Sequence, residues 1–180
     1  MIWKILGGLA VALAAFFLVA SFQPSRFTFS RSITVEAKPS TCYKLVNNFH
    51  TWEDWSPWAK MDPGMQAAYD GPASGVGASY TWSGNGKVGS GKMTLVKSTP
   101  SSLIDIQLEF LKPMKGDDLT EFTFTPEGQG KETQVTWTMS GPLNLVEKAF
   151  HMVCNTDKML APDFERGLAQ LKSLAEAGKK

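Results

Sequence analysis

Between Gly141 and Leu174, apolar residues recur at three- and four-residue spacings: Leu143, Val146, Phe150, Val153, Met159, Leu160, Phe164, Leu168, Leu171 and Leu174. That spacing gathers side chains on one face of an α-helix. The pair Gly141-Pro142 suits a helix start. The stretch is therefore expected to form one long amphipathic helix, with Pro162 as the point where it would break. Nearly everything from Arg26 to Ser140 instead alternates with period two or is punctuated by Gly and Pro. One helix must then serve as the cover for a whole sheet.

With 180 residues, 43% of them apolar, the chain can bury one good core once a short N-terminal segment is set aside. The 18 basic and 17 acidic residues nearly cancel, which gives no electrostatic case for nucleic acid. Cys42 and Cys154 lack the close spacing of a zinc or redox pair and are expected to be small buried residues.

Residues Ile5 to Phe22 carry no charge, and as a helix they would span about 27 Å, close to the thickness of a bilayer's hydrocarbon core. An uncleaved single-pass membrane anchor is favoured over a signal peptide, because only Lys4 precedes the run and Val19-Ala20-Ser21 is a poor cleavage pattern. Arg26, Arg31 and Lys38 follow the segment and lean toward a cytoplasmic domain, whereas signal-anchor precedent leans the other way, so the side stays open. The expected organisation is an anchor and linker over 1–25 and a globular domain over 26–180.

Phe27, Phe29, Ile33 and Val35 alternate with polar residues from Phe27 to Ala37, a strand whose buried face Arg31 interrupts. Pro39-Ser40-Thr41 opens a short helix that ends near Phe49. The aromatic knot Trp52-Glu53-Asp54-Trp55-Ser56-Pro57-Trp58 is expected as a short helix or turn plugging the core. Further strands are expected over Ser102 to Leu111, Thr120 to Thr125 and Thr133 to Ser140, in meander order, with turns at Thr99-Pro100-Ser101, Lys112 to Asp118 and Pro126 to Gly130.

Gly84-Asn85-Gly86-Lys87-Val88-Gly89 fits G-x-G-x-x-G, and Gly86 to Lys92 fits a phosphate loop as far as its lysine. Such loops need a following helix N-terminus and a Ser or Thr for magnesium; Met93 holds that place and Thr94-Leu95-Val96 continues as strand. Asn85-Gly86 is better read as a hairpin turn whose central residues tolerate positive φ.

Arg31-Ser32-Ile33, Val46-Asn47-Asn48-Phe49, Trp52, Trp55-Ser56-Pro57-Trp58, Gly75-Val76-Gly77-Ala78, Tyr80-Thr81-Trp82, Gly84-Asn85, Val88-Gly89, Val135-Thr136-Trp137, Asp157-Lys158-Met159 and Asp163-Phe164-Glu165, as an ordered set over about Arg31 to Leu174, resemble the polyketide cyclase/dehydrase branch of the START-like (SRPBCC) superfamily. The resemblance implies an α+β helix-grip fold: a curved antiparallel sheet wrapped around a long C-terminal helix, often with an elongated apolar cavity between them for lipids, sterols or polyketides. Pro162 departs from the pattern implied for that helix.

Acid–base chemistry would need a His or a raised-pKa carboxylate facing the cavity. His50 is expected at a helix end, His151 could face either way, Asp105 and Glu109 are expected on a solvated strand face, and Glu53 and Asp54 in a solvated loop. No Ser-His-Asp order, H-E-x-x-H or Cys/His cluster is present, and no cofactor or metal is expected. Binding needs only apolar walls with a few polar groups. Trp55, Trp58, Trp82, Met93, Ile106, Phe110, Phe122, Phe124, Trp137, Met139 and Phe150 could supply them, with Met93, Met139, Met152 and Met159 lending adaptability. The sequence thus points to a membrane-anchored domain that binds a hydrophobic small molecule or lipid, against two alternatives: a cyclase- or dehydrase-like enzyme using His151 or Glu109, and a protein-interaction module with no ligand.

Overall fold

The computed structural model describes residues 1–178, so the last two positions of the domain expected over 26–180 lie outside the described residues. Helix α1 (Ile2–Ser21) is followed by β1 (Arg26–Val35), α2 (Pro39–Val46), α3 (Trp52–Trp55) and six more strands: β2 (Gln66–Asp70), β3 (Ser79–Ser83), β4 (Ser90–Thr99), β5 (Leu103–Lys112), β6 (Gly116–Glu127) and β7 (Glu132–Pro142). Helices α4 (Leu145–Val153) and α5 (Thr156–Ala177) close the chain. The seven strands form one antiparallel sheet in the order β1-β7-β6-β5-β4-β3-β2. From β2 to β7 this is the expected meander. β1 joins the far edge beside β7, and the segment holding α2 and α3 crosses between the two edges.

Period-two alternation puts one face of each strand against the helices. On β5, Ile104, Ile106 and Leu108 are buried; on β6, Phe122 and Phe124; on β7, Val135 and Trp137. Phe164, Leu168 and Leu171 of α5 meet that face, as do Trp52, Trp55 and Phe49 of the crossing segment. Each such side chain contributes about 1.5–3 kcal/mol by leaving water. The result is the helix-grip arrangement, with α5 lying in the concavity of a curved sheet.

The C-terminal cover is two helices, not one. Cys154 and Asn155 are both extended (φ −110°, ψ 129° and φ −80°, ψ 90°), and the Asn155 side chain caps α5 by accepting from the Lys158 N–H at 3.0 Å. The break therefore falls at Cys154-Asn155, where a capping side chain supports a fresh helix start. Pro162 sits inside α5, where it removes the single backbone bond to the Lys158 carbonyl near the first turn without ending the helix. Gly141-Pro142 belongs to β7, and the start of α4 is set by Asn144, whose side chain accepts from the Val146 and Glu147 N–H groups while Glu147 accepts from the Asn144 N–H.

Two other local readings change. The β3–β4 connection is a hairpin, but it spans Gly84 to Gly89 and its positive φ falls on Gly89 (63°), not on the Asn85-Gly86 pair. The edge strand β2 carries no apolar alternation and was not foreseen.

Arg31 interrupts the buried face of β1 by paying its charge out to α5. Its Nη2 meets Asp157 at 2.8 Å, its Nε meets Glu165 at 3.2 Å, and the guanidinium covers the Phe29 ring at 4.4 Å. Asp157 and Glu165 together hold the Arg31 guanidinium above its usual pKa. Both cysteines are free thiols; Cys42 is buried, which pushes its pKa up to about 11, and Cys154 is only half-buried.

Candidate ligand cavity

The helices fill only one end of the grip. There Ile104, Ile106, Phe122 and Phe124 pack under α2 and the C-terminal half of α5, with Tyr43 against Phe124 at 5.9 Å between ring centroids. Toward the other end of the strands the helices leave a cavity of about 300 Å³. That volume stands at the low end of the range of small-molecule sites, roughly 300–1,000 Å³.

Its sheet wall comes from residues two apart on successive strands, which the pleat sends to the same face: Tyr80 and Trp82 of β3, Leu108 and Phe110 of β5, Trp137 and Met139 of β7, with Met93 of β4 and Thr120 of β6 between them. Phe49, Trp52, Ser56, Trp58 and Met65 of the crossing segment wall one side, and Leu160 and Phe164 of α5 wall the other. The exposed side chains of Glu53, Lys87 and Lys112 mark the rim.

Two glycines shape these walls. A Cβ on Gly91 would strike the Trp82 ring, so its absence lets that indole lie across β4 and reach the hairpin loop, where Trp82 Nε1 donates to the Val88 carbonyl at 3.0 Å. A Cβ on Gly167 would come within 2.9 Å of Trp137 Cζ3 and 3.1 Å of Pro57 Cδ, so α5 rides directly on the Trp137 ring.

Trp137 is the hub of an aromatic cluster. It stacks on Phe164 (centroids 4.2 Å apart, planes at 27°) and on Phe122 (5.0 Å, 25°), and it meets Trp55 and Trp58 edge to face. Trp52 and Trp55 donate their indole N–H groups to the Val46 and Leu45 carbonyls. Trp137 differs, because its Nε1 is buried with no hydrogen-bond partner. An unpaired buried donor is costly, of the order of 1–3 kcal/mol, which the ring packing of Trp137 in this cluster outweighs.

Of the residues expected to form a binding site, Trp58, Trp82, Met93, Phe110, Trp137 and Met139 line this cavity. Trp55, Ile106, Phe122 and Phe124 do not. They sit in solid core, because the hollow occupies only one end of strands that were read as uniform. Phe150 is 44% exposed on α4, which turns away once the helix breaks at Cys154-Asn155. Met152 and Met159 are likewise exposed, not in the cavity. Lining residues that sequence reasoning missed include Leu108 and Tyr80, each two positions from a residue it had chosen, and Phe164, on the inward stripe of the helix.

The candidate acid–base groups are scattered. His50 is exposed and stacks on Tyr69 at 4.0 Å. His151 borders a separate cleft under α4, where it lies 5.8 Å from the Phe27 ring. Glu109 points to the face opposite Leu108 and Phe110. Asp105, expected in solvent, has a side chain only 15% exposed, 3.9 Å from Lys97. Asp54 is exposed. Glu53 alone among them touches the cavity, where its Oε1 accepts from the Tyr69 hydroxyl at 2.9 Å. Burial, with Glu53 adding to it, raises the pKa of both Tyr69 and Tyr80.

A family model described as polyketide cyclase / dehydrase and lipid transport matches residues 26–176. No curated protein sequence matches the chain. Solved structures agree in fold at low identity. The aromatase/cyclase Zhui from Streptomyces sp. R1128 is 13% identical with a TM-score of 0.59, over 84% of this chain and 94% of that one. Norcoclaurine synthase from Thalictrum flavum, in complex with dopamine and hydroxybenzaldehyde, is 10% identical with a TM-score of 0.66, over 86% and 89%. A protein from Chromobacterium violaceum is 16% identical with a TM-score of 0.58, over 86% and 99%.

Proposed function

The chain belongs to the polyketide cyclase/dehydrase and lipid transport family of the SRPBCC fold, and from that premise we propose that residues 26–180 form a domain that takes a hydrophobic small molecule or lipid into the cavity, while α1 anchors it in a membrane. The observation that carries this reading is the cavity of about 300 Å³ whose inner walls are apolar and aromatic apart from Ser56 and Thr120. Apolar walls supply affinity without direction, and the few polar groups fix orientation. Helix α1 supports the tether: twenty residues give about 30 Å of helix, and all but Ala20 are exposed or half-buried. A tether suits such a cargo, since apolar molecules concentrate in the bilayer from which the domain would collect them.

The test is to fill the cavity. Met139→Trp adds bulk to a wall residue that is only half-buried, so the fold has room to accept it. The account expects a naphthalene sulfonate probe to bind the unaltered protein and to lose most of its affinity for Met139→Trp, with an unchanged circular dichroism spectrum. Equal binding by both would place the probe elsewhere.

A cyclase-like reading rests on a different observation, the position of Glu53 at the rim with Tyr69 and Tyr80 beside it. It expects the molecule extracted from the cavity to be turned over, and Glu53→Gln to abolish the turnover without releasing the ligand.

A further inference from the structure

Helix α4 is the part of the C-terminal cover that leaves most of its apolar stripe uncovered. Leu145, Val146, Ala149, Phe150 and Val153 fall within an arc of about 140° on it, at 100° per residue. A stripe like that ordinarily faces a core. Here only Ala149 is buried, whereas Val146 is 67% and Val153 69% exposed.

Among the described residues, α4 packs on α1. The two helices are in contact, Ala20 and Ala149 are the buried residues of each, and the Lys148 ammonium donates to the Ser21 carbonyl at 3.4 Å. The exposed stripe of α4 is therefore continuous with the last turns of α1, which are themselves apolar and exposed at Leu18, Val19 and Phe22.

We infer that the occupant of the α4 face is the bilayer itself: α4 lies in the membrane interface, its apolar stripe at the headgroup–acyl boundary. This rests on the reading of α1 as a membrane span. If Ser21 ends that span, a helix docked on Ala20 and Ser21 is held at the same depth, and lipid is what it meets there. The charges agree. Arg26 and Lys158 are exposed and Lys148 is half-buried beside the stripe, so cations outnumber Glu147, the one carboxylate of α4, and Asp157 is paired with Arg31. Interfacial helices of this kind bury an apolar face roughly 5–10 Å into the boundary region and keep cations at the headgroups. The placement also sets the cleft of about 280 Å³ between the α1–β1 linker and α4 at the bilayer surface, with Leu160 forming a wall of both that cleft and the main cavity.

The experiment is spin labelling of the full chain in phosphatidylcholine/phosphatidylglycerol vesicles. Labels are carried singly by Val146→Cys, Val153→Cys, Leu13→Cys and Gln129→Cys in a Cys154→Ser background, Cys42 being buried. Collision with oxygen is compared with collision with a water-soluble nickel chelate. The inference expects oxygen-to-nickel ratios at Val146→Cys and Val153→Cys several-fold above that at Gln129→Cys and below that at Leu13→Cys. A water-like ratio at both α4 positions with a lipid-like ratio at Leu13→Cys overturns the inference and leaves the anchor standing. A water-like ratio at Leu13→Cys as well overturns both. Labels on α4 that are shielded from both reagents and broadened by a neighbouring label overturn it in favour of a second copy of the chain.

Discussion

Trp137 and Phe164 lie stacked at 4.2 Å between ring centroids, one from the last strand and one from the helix it grips, and this pair is where the packed half of the molecule meets the hollow half. Phe164 closes the ring from the α5 side, and the Trp137 indole N–H has no protein acceptor. The two roles of Trp137, support and donor, separate by substitution. Trp137→Ala should cost about 3–5 kcal/mol of stability through the cavity it opens. Trp137→Phe keeps a stacked ring and removes the unpaired donor, which offsets part of the lost volume, so it should cost no more than about 1 kcal/mol. A ligand whose oxygen takes the indole proton should bind Trp137→Phe several-fold more weakly, the loss of one neutral hydrogen bond. Urea titration and a binding isotherm with the extracted ligand read the two effects apart; unchanged affinity would show that the ligand does not use that donor.

Gly167 lets α5 ride on the Trp137 ring. Gly167→Ala gains about 1 kcal/mol of helix propensity but places a methyl 2.9 Å from Trp137 Cζ3 and 3.1 Å from Pro57 Cδ. Neither neighbour is the free end of a flexible chain, so the clash should win, with a net loss of about 1–3 kcal/mol. A higher urea midpoint in Gly167→Ala would contradict this geometry.

Arg31 ties β1 to α5 through Asp157 and Glu165. Arg31→Met keeps the stem over Phe29 and removes the charge, so the thermal midpoint should fall at low salt, and the difference from the unaltered protein should shrink in molar salt, where screening acts within about 3 Å. A salt-independent loss would assign the effect of Arg31 to packing.

Much of this was legible beforehand because strands with one apolar face announce themselves by period two: β1, β5, β6 and β7 fall where Phe29, Ile104, Phe122 and Val135 put them. The helix break was not, because the apolar spacing runs straight through it and the decisive residue, Asn155, acts by capping. The cavity was legible only by half. Periodicity tells which face of a strand is inward, and Ile106 and Phe110 share one; it does not tell how far along the strand the helices reach. That depends on where α2 and α3 cross, a tertiary fact. β2 carried no signal because its edge residues Gln66, Ala67 and Ala68 are exposed.

Asp118, near the start of β6, lies in the space beside Gly141 that a Cβ would fill, and burial, with Glu147 and Asp117 adding to it, pushes its pKa up to about 6 from the ordinary 3.8. The folded state then holds a proton that the unfolded chain gives up earlier. The contribution of this group to stability is complete below about pH 4 and lost as pH rises through about 6. Asp118→Asn should remove that fall, so that its urea midpoint exceeds that of the unaltered protein above about pH 7 and the two converge near pH 4. Parallel pH profiles would contradict the raised pKa.

The central claim is that the hollow end of the grip is a binding site, and native mass spectrometry of residues 26–180, purified without detergent and followed by organic extraction, tests it most directly. Helix α1 contributes no cavity wall, so its removal leaves the site as it is. The account predicts a species heavier than the chain by one apolar molecule, lost in Met139→Trp and recovered in the extract. A mass equal to the bare chain, with no uptake of lipids or apolar metabolites added back, would contradict it.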